Sequence, residues 1–290
     1  MFSVFLLVSC GELIIDEISD EYRSIDISPN GKVTYNGEPF SGVLTNTYKS
    51  GNLNYKRTYK DGKKNGFSEG YHKNGHIKYR EPYKNGEKDG VWERYYENGQ
   101  LYHKQTFKEG KIEGVSEGYF KNGQLESKLT YVNGKKNGIW EDYYENGQLK
   151  FRGTYKEGKE DGVYERYYEN GQLEFKTSNK DGEKDGIWEM FYRNGQLSYT
   201  QTFKNGKEDG VAEGYYENGQ LQYREFYKQG EKDGVWERYY ENGQLKAKVS
   251  YVDGKLDGEC IKYAETGGII SFKNYENGEE IEEYYEDTED

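Results

Sequence analysis

The chain has 290 residues, of which 38 are Gly, 32 Tyr and only 3 Pro, and its 41 basic and 53 acidic side chains give a net charge of -12. Leu, Ile, Val and Phe make up less than a fifth of the residues, too few for the aliphatic strands of an α/β enzyme core of this length. The acidic balance argues against a nucleic-acid partner, because phosphate backbones need a cationic surface. Three His and two Cys leave little material for a zinc site, and we expect no cofactor.

The N-terminus resembles the end of a bacterial lipoprotein signal peptide. The apolar residues 1–8 are too few to span a bilayer, which needs about 20, and they lead into Leu7-Val8-Ser9-Cys10, which is similar to a lipobox. The resemblance implies that Cys10 is lipidated and that residues 1–9 are a truncated signal segment. No Lys or Arg precedes the apolar run, which departs from that pattern. The alternative is an apolar strand with an incidental cysteine.

A 24-residue repeat dominates the rest of the chain. Glycine recurs at this period in three columns, which start at Gly62, Gly66 and Gly75. In each unit two short aromatic runs flank an Asn-Gly pair, the strongest short signal for a β-hairpin. The sequence therefore predicts an all-β fold, an elongated antiparallel β-hairpin array of about ten units.

The repeat also divides the chain. The array is predicted to span residues 42–278. Residues 10–41 precede it and are predicted to be a tether followed by an N-terminal cap. Residues 279–290 follow it and contain no basic residue, which is typical of a solvated acidic tail.

The strand register can be tested within the sequence. If Asn146-Gly147 form the centre of a type I′ turn, Glu141 lies opposite Arg152. The same offset places a basic residue opposite the repeated glutamate in seven of eight units. We interpret such residues as structural cross-strand pairs, because opposite charges facing each other stabilise antiparallel strands. The other two pairs singled out are Glu93–Lys104 and Glu213–Arg224.

One face of the predicted sheet is too aromatic to be left fully in water. We favour rings that stack into a core, and the alternative is a groove for glycan, lipid or peptide. The candidate binding face comprises Trp92, Trp140, Trp188, Trp236, Tyr96 and Tyr144. Where Ser68, Ser116 and Ala212 replace Trp in the repeat, either neighbouring rings fill the gaps or pockets lie there.

The repeated patterns G-x-W-E-x-Y-Y-E-N-G-Q-L and Y-K-x-G-K-x-D-G resemble the bacterial variant of MORN repeats. The same repeats occur in proteins grouped as YwqK-type antitoxin-like. The resemblance covers residues 42–278. It implies a β-hairpin array with a role in binding or membrane association and no catalytic residues.

We therefore predict a non-enzymatic repeat protein, lipid-anchored in the bacterial envelope at the outer membrane or cell surface. Its sheet is expected to bind a protein, glycan or lipid partner, and its oligomeric state is open. One alternative is a cytoplasmic antitoxin-like or scaffold protein, if Cys10 is not processed. Another is an envelope glycan-active enzyme, for which Glu189, opposite Thr200, is the one carboxylate without a basic partner across its hairpin. A metal site built from His72, His76 and His103 is only weakly indicated, and we predict no metal.

Overall fold

The computed structural model describes residues 14–16 and 24–285. The predicted lipidation site Cys10 and the signal segment 1–9 lie outside these residues. The described part of the chain consists of β-strands and turns without an α-helix, which confirms the all-β prediction. Accordingly, no helix in this part is long and apolar enough to cross a membrane.

The chain divides into two compact units, Met1–Gly147 and Gln148–Asp290. The described strands of the first unit are β1 (Ile14–Asp16), β2 (Ile25–Ile27), β3 (Val33–Tyr35), β4 (Glu38–Pro39), β5 (Gly42–Thr47), β6 (Leu53–Lys60), β7 (Lys63–Tyr71), β8 (Ile77–Lys84), β9 (Glu87–Lys88), β10 (Gly90–Tyr95), β11 (Leu101–Lys108), β12 (Lys111–Tyr119), β13 (Leu125–Val132) and β14 (Lys135–Tyr143). Those of the second unit are β15 (Leu149–Lys156), β16 (Lys159–Glu160), β17 (Gly162–Tyr167), β18 (Leu173–Lys180), β19 (Glu183–Lys184), β20 (Gly186–Phe191), β21 (Leu197–Lys204), β22 (Lys207–Tyr215), β23 (Leu221–Lys228), β24 (Glu231–Lys232), β25 (Gly234–Tyr239), β26 (Leu245–Val252), β27 (Lys255–Tyr263), β28 (Ile269–Glu276) and β29 (Glu279–Tyr285).

Within each unit the repeats form antiparallel hairpins. Strand β10 pairs with β11 in the first unit, and β22 pairs with β23 in the second. In these pairs Glu93 lies opposite Lys104, and Glu213 opposite Arg224. The regular Asn-Gly spacing therefore produces a β-hairpin array in both units.

The turn predicted at Asn146-Gly147 is wrong in type. A type I′ turn needs a positive φ at both central residues, but only Gly147 has one, at 84°. The Gly147 N–H donates to the Tyr144 carbonyl at 2.8 Å, so a type I turn is followed by one left-handed glycine. In the equivalent turn the Asn98 side chain accepts a hydrogen bond from the Gln100 N–H at 3.1 Å. The asparagine thus caps the turn with its side chain instead of adopting positive φ.

A β-bulge explains why the wrong turn still predicted the right register. The three-residue loop holds one residue more than a type I′ turn, and the pairing shifts by one between Arg94 and Tyr95. Beyond that bulge the strands pair as predicted. The type I′ turns lie at the other connection of the repeat, as at Asn85 and Gly86, with φ of 53° and 93°.

The first unit begins with a small apolar core. Ile15, Val33, Phe40, Leu44 and Tyr59 are each at most 5% exposed and contact one another. Strand β1 pairs in parallel with β5, and β2, β3 and β4 form a separate three-stranded sheet. Within residues 10–41, burial of Ile15 therefore makes β1 part of the folded body.

The predicted tail 279–290 is also corrected. Residues Glu279–Tyr285 form β29, which pairs antiparallel with β28. A turn with positive φ at Asn277 and Gly278 allows the chain to reverse. The Lys273 ammonium then lies 3.1 Å from a Glu280 carboxylate oxygen and 2.6 Å from one of Glu283. This lysine offsets the acidic charge that suggested a solvated tail.

Candidate functional site

The tryptophans of the predicted binding face lie under lysine side chains. The lysine four residues before each Trp places its Nζ near the centre of the indole ring. The distances to the ring centroid are 4.2 Å for Lys88–Trp92, 5.1 Å for Lys136–Trp140, 3.3 Å for Lys184–Trp188 and 4.2 Å for Lys232–Trp236. Such cation–π contacts occupy the ring faces that a ligand would need.

Neighbouring aromatic rings also pack against these indole rings. Phe203 lies 5.5 Å from Trp188 between ring centroids, and Tyr251 lies 5.1 Å from Trp236. All four tryptophans are half-buried. These contacts favour the stacked arrangement over an open aromatic groove.

The gaps in the Trp column are filled by side chains from the paired strand. A Cβ atom at Gly70 would overlap the ring of Tyr79, and one at Gly214 would overlap the ring of Tyr223. Ser68 and Ala212, in the Trp positions of these units, are 2% and 1% exposed. The pockets considered at these two positions are therefore absent. The third gap, at Ser116, is covered by His103, whose Nε2 lies 3.1 Å from the serine Oγ.

A tyrosine two residues before most Asn-Gly turns joins successive hairpins, and His72 and Phe120 take its place in two turns. Tyr96 donates a hydrogen bond from its hydroxyl to the Tyr119 carbonyl at 2.9 Å, and its ring lies 5.0 Å from that of Tyr102. It lines a cavity of about 450 Å³ together with His72 and Lys121. Tyr144 holds the same place in its turn, where its carbonyl accepts from Gly147. These tyrosines lie at the turn edge of the sheet, apart from the Trp column.

The opposite face carries the predicted charge pairs. Arg224 lies 2.8 Å from the Glu213 carboxylate. Glu93 faces both Lys104 and Arg80 on its two neighbouring strands, so the pairs join into a ladder of alternating charge. The pair Glu141–Arg152 stays a prediction, because its members belong to different units. Within their own units they face Lys128 and Glu165.

Tyrosine hydroxyls complete this ladder. In seven repeats the tyrosine two residues after the glutamate donates to its carboxylate, as Tyr71 does to Glu69 at 3.1 Å. Burial, then the charge of Glu69 and the hydrogen bond to it, raises the pKa of Tyr71 to about 12. Glu189 is followed by Phe191 and lacks this donor, but Lys176 lies opposite it. The carboxylate suggested for glycan chemistry therefore has a basic neighbour.

In each unit, exposed aliphatic side chains run beside the ladder on the same face. The repeat places a β-branched residue two positions before every ladder glutamate except Glu69, where Phe67 stands. The exposed members are Val91 at 40%, Val115 at 38% and Ile139 at 51% in the first unit, and Val163 at 44% and Ile187 at 55% in the second. The sequence interpretation attended to the aromatic face and missed this row, although its Val/Ile period is visible in the repeat.

The histidines do not come together as a site. His72 and His76 each lie near a carbonyl oxygen of the next turn, those of Tyr95 and Glu97, and His103 lies near Ser116. No cluster of three or more His, Cys, Asp or Glu suited to a metal is found in the part of the chain that the structure describes. Cys260 is a half-buried free thiol in the Trp column.

The family model named MORN repeat variant matches eight consecutive segments of the chain, at residues 64–85, 88–109, 112–133, 136–157, 160–179, 184–205, 208–229 and 232–253. Together these segments cover more than half of the chain. The chain belongs to the MORN repeat variant family. The resemblance to MORN repeats is thereby confirmed, and the protein is a MORN-type β-repeat protein. The YwqK-type antitoxin-like grouping stays a prediction.

Similarity to individual known proteins is slight. No curated protein matches the chain. Among solved structures, a TcdB2–TccC3–Cdc42 complex matches at 13% identity and a TM-score of 0.19. A Tc holotoxin pore of Photorhabdus luminescens matches at 14% identity and a TM-score of 0.21. The matches cover 80% and 88% of this chain but only 15% and 16% of theirs, and they carry no functional argument.

Proposed function

We propose that this MORN-variant protein is a non-enzymatic scaffold of the bacterial envelope, anchored through a lipid on Cys10, which binds a partner protein over its exposed aliphatic row. One observation carries the proposal. Ile139 and Ile187 are 51% and 55% exposed, although the chain has few aliphatic residues and its overall surface is acidic. Regular exposure of scarce apolar side chains is typical of an interaction surface.

The chemistry of the face favours a protein over the other two partners. Glycans bind on exposed aromatic faces, and the indole rings here are covered by lysines. Anionic lipid surfaces need an excess of cations, whereas the ladder alternates in sign. An apolar row beside paired charges fits a protein partner with an apolar centre and a charged rim.

The repeated carboxylates support a structural role. Seven of the ladder glutamates accept from a tyrosine, and a set repeated in this way differs from the singular constellation that catalysis requires. Glu189 departs from the rest, but it faces Lys176 on the same open sheet. In the part of the chain that the structure describes, the repeated carboxylates support a binding surface over a catalytic pair.

Site-specific photo-crosslinking tests the aliphatic row. A photoreactive phenylalanine is placed at Ile139 or Ile187 and activated in cells that produce the chain naturally. We expect one discrete protein adduct from either position and none from Lys180, an exposed residue at a turn. An equal yield of adduct from Lys180 would contradict the proposed surface. The absence of an adduct from both Ile139 and Ile187 would also contradict it.

Fractionation tests the membrane address separately. Wild-type protein expressed from its own gene is expected to sediment with membranes, and Cys10→Ala is expected to be soluble, because acylation of the cysteine supplies the anchor. If wild type and variant are both soluble, the anchor is wrong and the cytoplasmic antitoxin-like or scaffold alternative takes its place.

A further inference from the structure

The first unit contains a cavity that the repeat does not explain. It has a volume of about 380 Å³ and lies between the cap and the first hairpins. Lys32 of the cap and Lys63 and Lys64 of β7 line it, with the ring of Tyr83 on another side and Glu87 as its one carboxylate. Three lysines and one glutamate therefore line the same cavity in a chain of net charge -12.

Two glycines hold the lysine stems in place. Gly62 is buried with a φ of 77°, and a Cβ atom there would lie 3.0 Å from the Lys32 Cγ. Gly86 approaches Lys63 in the same way, with a Cβ distance of 3.7 Å. The backbone at these two glycines therefore packs against the stems of both lysines.

A fourth cation lies behind the lysines. The Arg57 guanidinium stacks over the Tyr55 ring with its Cζ 3.8 Å from the centroid. Its Nε is buried and has no hydrogen-bond partner. Burial, and then the positive charges of Arg57 and Lys88, lower the pKa of Lys64, whereas the carboxylate of Glu81 raises it.

Comparison among the repeats shows that this cluster is singular. The chain has five lysines at the position of Lys88, and four of them precede a tryptophan by four residues and cover its ring. Lys64 departs from that rule, because Ser68 stands in the tryptophan position. Its Nζ lies instead 4.7 Å from the Tyr83 ring centroid, beside the cavity.

Arg57 is unusual in the same sense. Its position is occupied in the next eight repeats by Glu81, Gln105, Leu129, Gly153, Thr177, Gln201, Glu225 and Val249, none of them basic. The ninth member, Lys273, is basic, but Glu280 and Glu283 pair with it. A charge cluster that the repeat neither produces nor repeats needs a local reason. Several converging cations are best neutralised by a polyvalent anion with several acceptor oxygens.

We propose that this cavity binds a phosphate group, held by the ammonium groups of Lys32, Lys63 and Lys64. Each ammonium supplies several donors as a point charge and reaches the phosphate oxygens from a different side. Arg57 adds positive potential from behind. The group belongs either to a soluble phosphorylated molecule or to a lipid headgroup, and neither source depends on the aliphatic row or on Cys10.

Calorimetric titration of the full chain with inorganic phosphate tests the site. We expect saturable binding of one phosphate per chain, and about tenfold weaker binding in Lys64→Met and in Lys32→Met, since charge-assisted hydrogen bonds are individually strong. Lys184→Met is the matched control. It removes the same charge from the same repeat position, but that lysine covers Trp188, so wild-type affinity is expected.

Vesicles of phosphatidylcholine, with and without phosphatidic acid, separate the two sources. If the protein binds the phosphatidic acid vesicles and inorganic phosphate releases it, a lipid headgroup is supported. If the protein binds inorganic phosphate but not these vesicles, a soluble ligand is supported. Absence of saturable binding in both formats overturns the proposal. An equal loss of affinity in Lys184→Met also overturns it, because net charge alone would then explain the binding.

Discussion

At the scale of single residues, the charge ladder lacks one basic side chain, at position 200. Thr200 stands where other repeats place Lys or Arg, and it lies between Glu189 and Glu213 on the two neighbouring strands. The two carboxylates therefore have no cation between them at this rung. The defect affects a local charge balance and leaves the hydrogen bonds of the strands intact.

Filling this rung should stabilise the protein. Thr200→Lys places an ammonium between two glutamates and is expected to raise the free energy of unfolding by about 0.2–1 kcal/mol per pair formed. Thermal unfolding at low and high salt measures this change in the free energy of unfolding. The increase should be smaller at high salt, because salt screens the charges. Thr202→Lys, in the aliphatic row, is the control without facing carboxylates. A gain of the same size in that control would refute the ladder explanation.

Two glycines of the Trp face are predicted to differ in their tolerance of alanine. At Gly214 a methyl group overlaps the Tyr223 ring, whereas at Gly118 it meets the Ser127 Oγ, the far end of a small side chain that can rotate. Gly214→Ala is expected to cost about 1–3 kcal/mol, as overpacking typically does, and Gly118→Ala less. Urea unfolding of both variants compares them. Equal stability would show that the tyrosine ring does not fill the gap.

At the scale of strands and turns, each repeat is held by a few recurring side-chain bonds. The ladder tyrosine donates to the glutamate two residues earlier, and the turn tyrosine donates to the next hairpin. The turn asparagine also reaches the next turn, as Asn74 does when its amide donates to the Glu97 carbonyl at 2.8 Å. These bonds explain why Tyr and Asn recur at fixed positions in strands that have few aliphatic residues.

The ladder tyrosines should titrate late. Tyr71, Tyr95 and Tyr239 have pKa values raised from 10.0 to about 12, first by burial and then by their glutamates. Because the folded-state pKa lies above the unfolded one, the stabilisation is complete below pH 10 and is lost as the pH rises toward 12. Carbon NMR of ring-labelled tyrosine measures each pKa.

The variant Glu237→Gln removes one neighbouring charge as a control. It should lower the pKa of Tyr239, which that carboxylate raises, and leave the pKa of Tyr95 in the other unit in place. Titration of the ladder tyrosines near pH 10 in the wild type would contradict the hydrogen-bonded ladder.

At the scale of the whole molecule, the described ends of the array differ from its interior. The start is closed by the apolar core around Leu44, which is fully buried. At the other end, β29 covers β28 and places two glutamates beside Lys273. Open sheet edges promote association, and a hairpin array buries little apolar area of its own, so these end elements matter for solubility.

Removal of β29 tests this role. Truncation after Gly278 exposes the backbone edge of β28 and leaves Lys273 without Glu280 and Glu283. We expect a lower melting temperature and self-association in size-exclusion chromatography. Truncation after Tyr285 serves as the control, because it removes only the last five residues of the chain and keeps β29. Monodisperse behaviour of both truncated proteins would show that the last strand does not protect the edge.

The sequence by itself determined the hairpin array and its register, because period-24 glycines, alternating strands and facing charges all depend on local geometry that repeats. It also contained the pairing of lysine with tryptophan four residues later, as a regularity without a visible reason. The turn type was decided by the Asn98 side chain, which bonds to the backbone in a way that an Asn-Gly pair does not specify. Only the tertiary structure placed Ile15 in the cap core, paired β29 with β28 and brought Lys32 beside Lys63 and Lys64. These contacts join the array to segments outside it, and nothing periodic in the sequence records them.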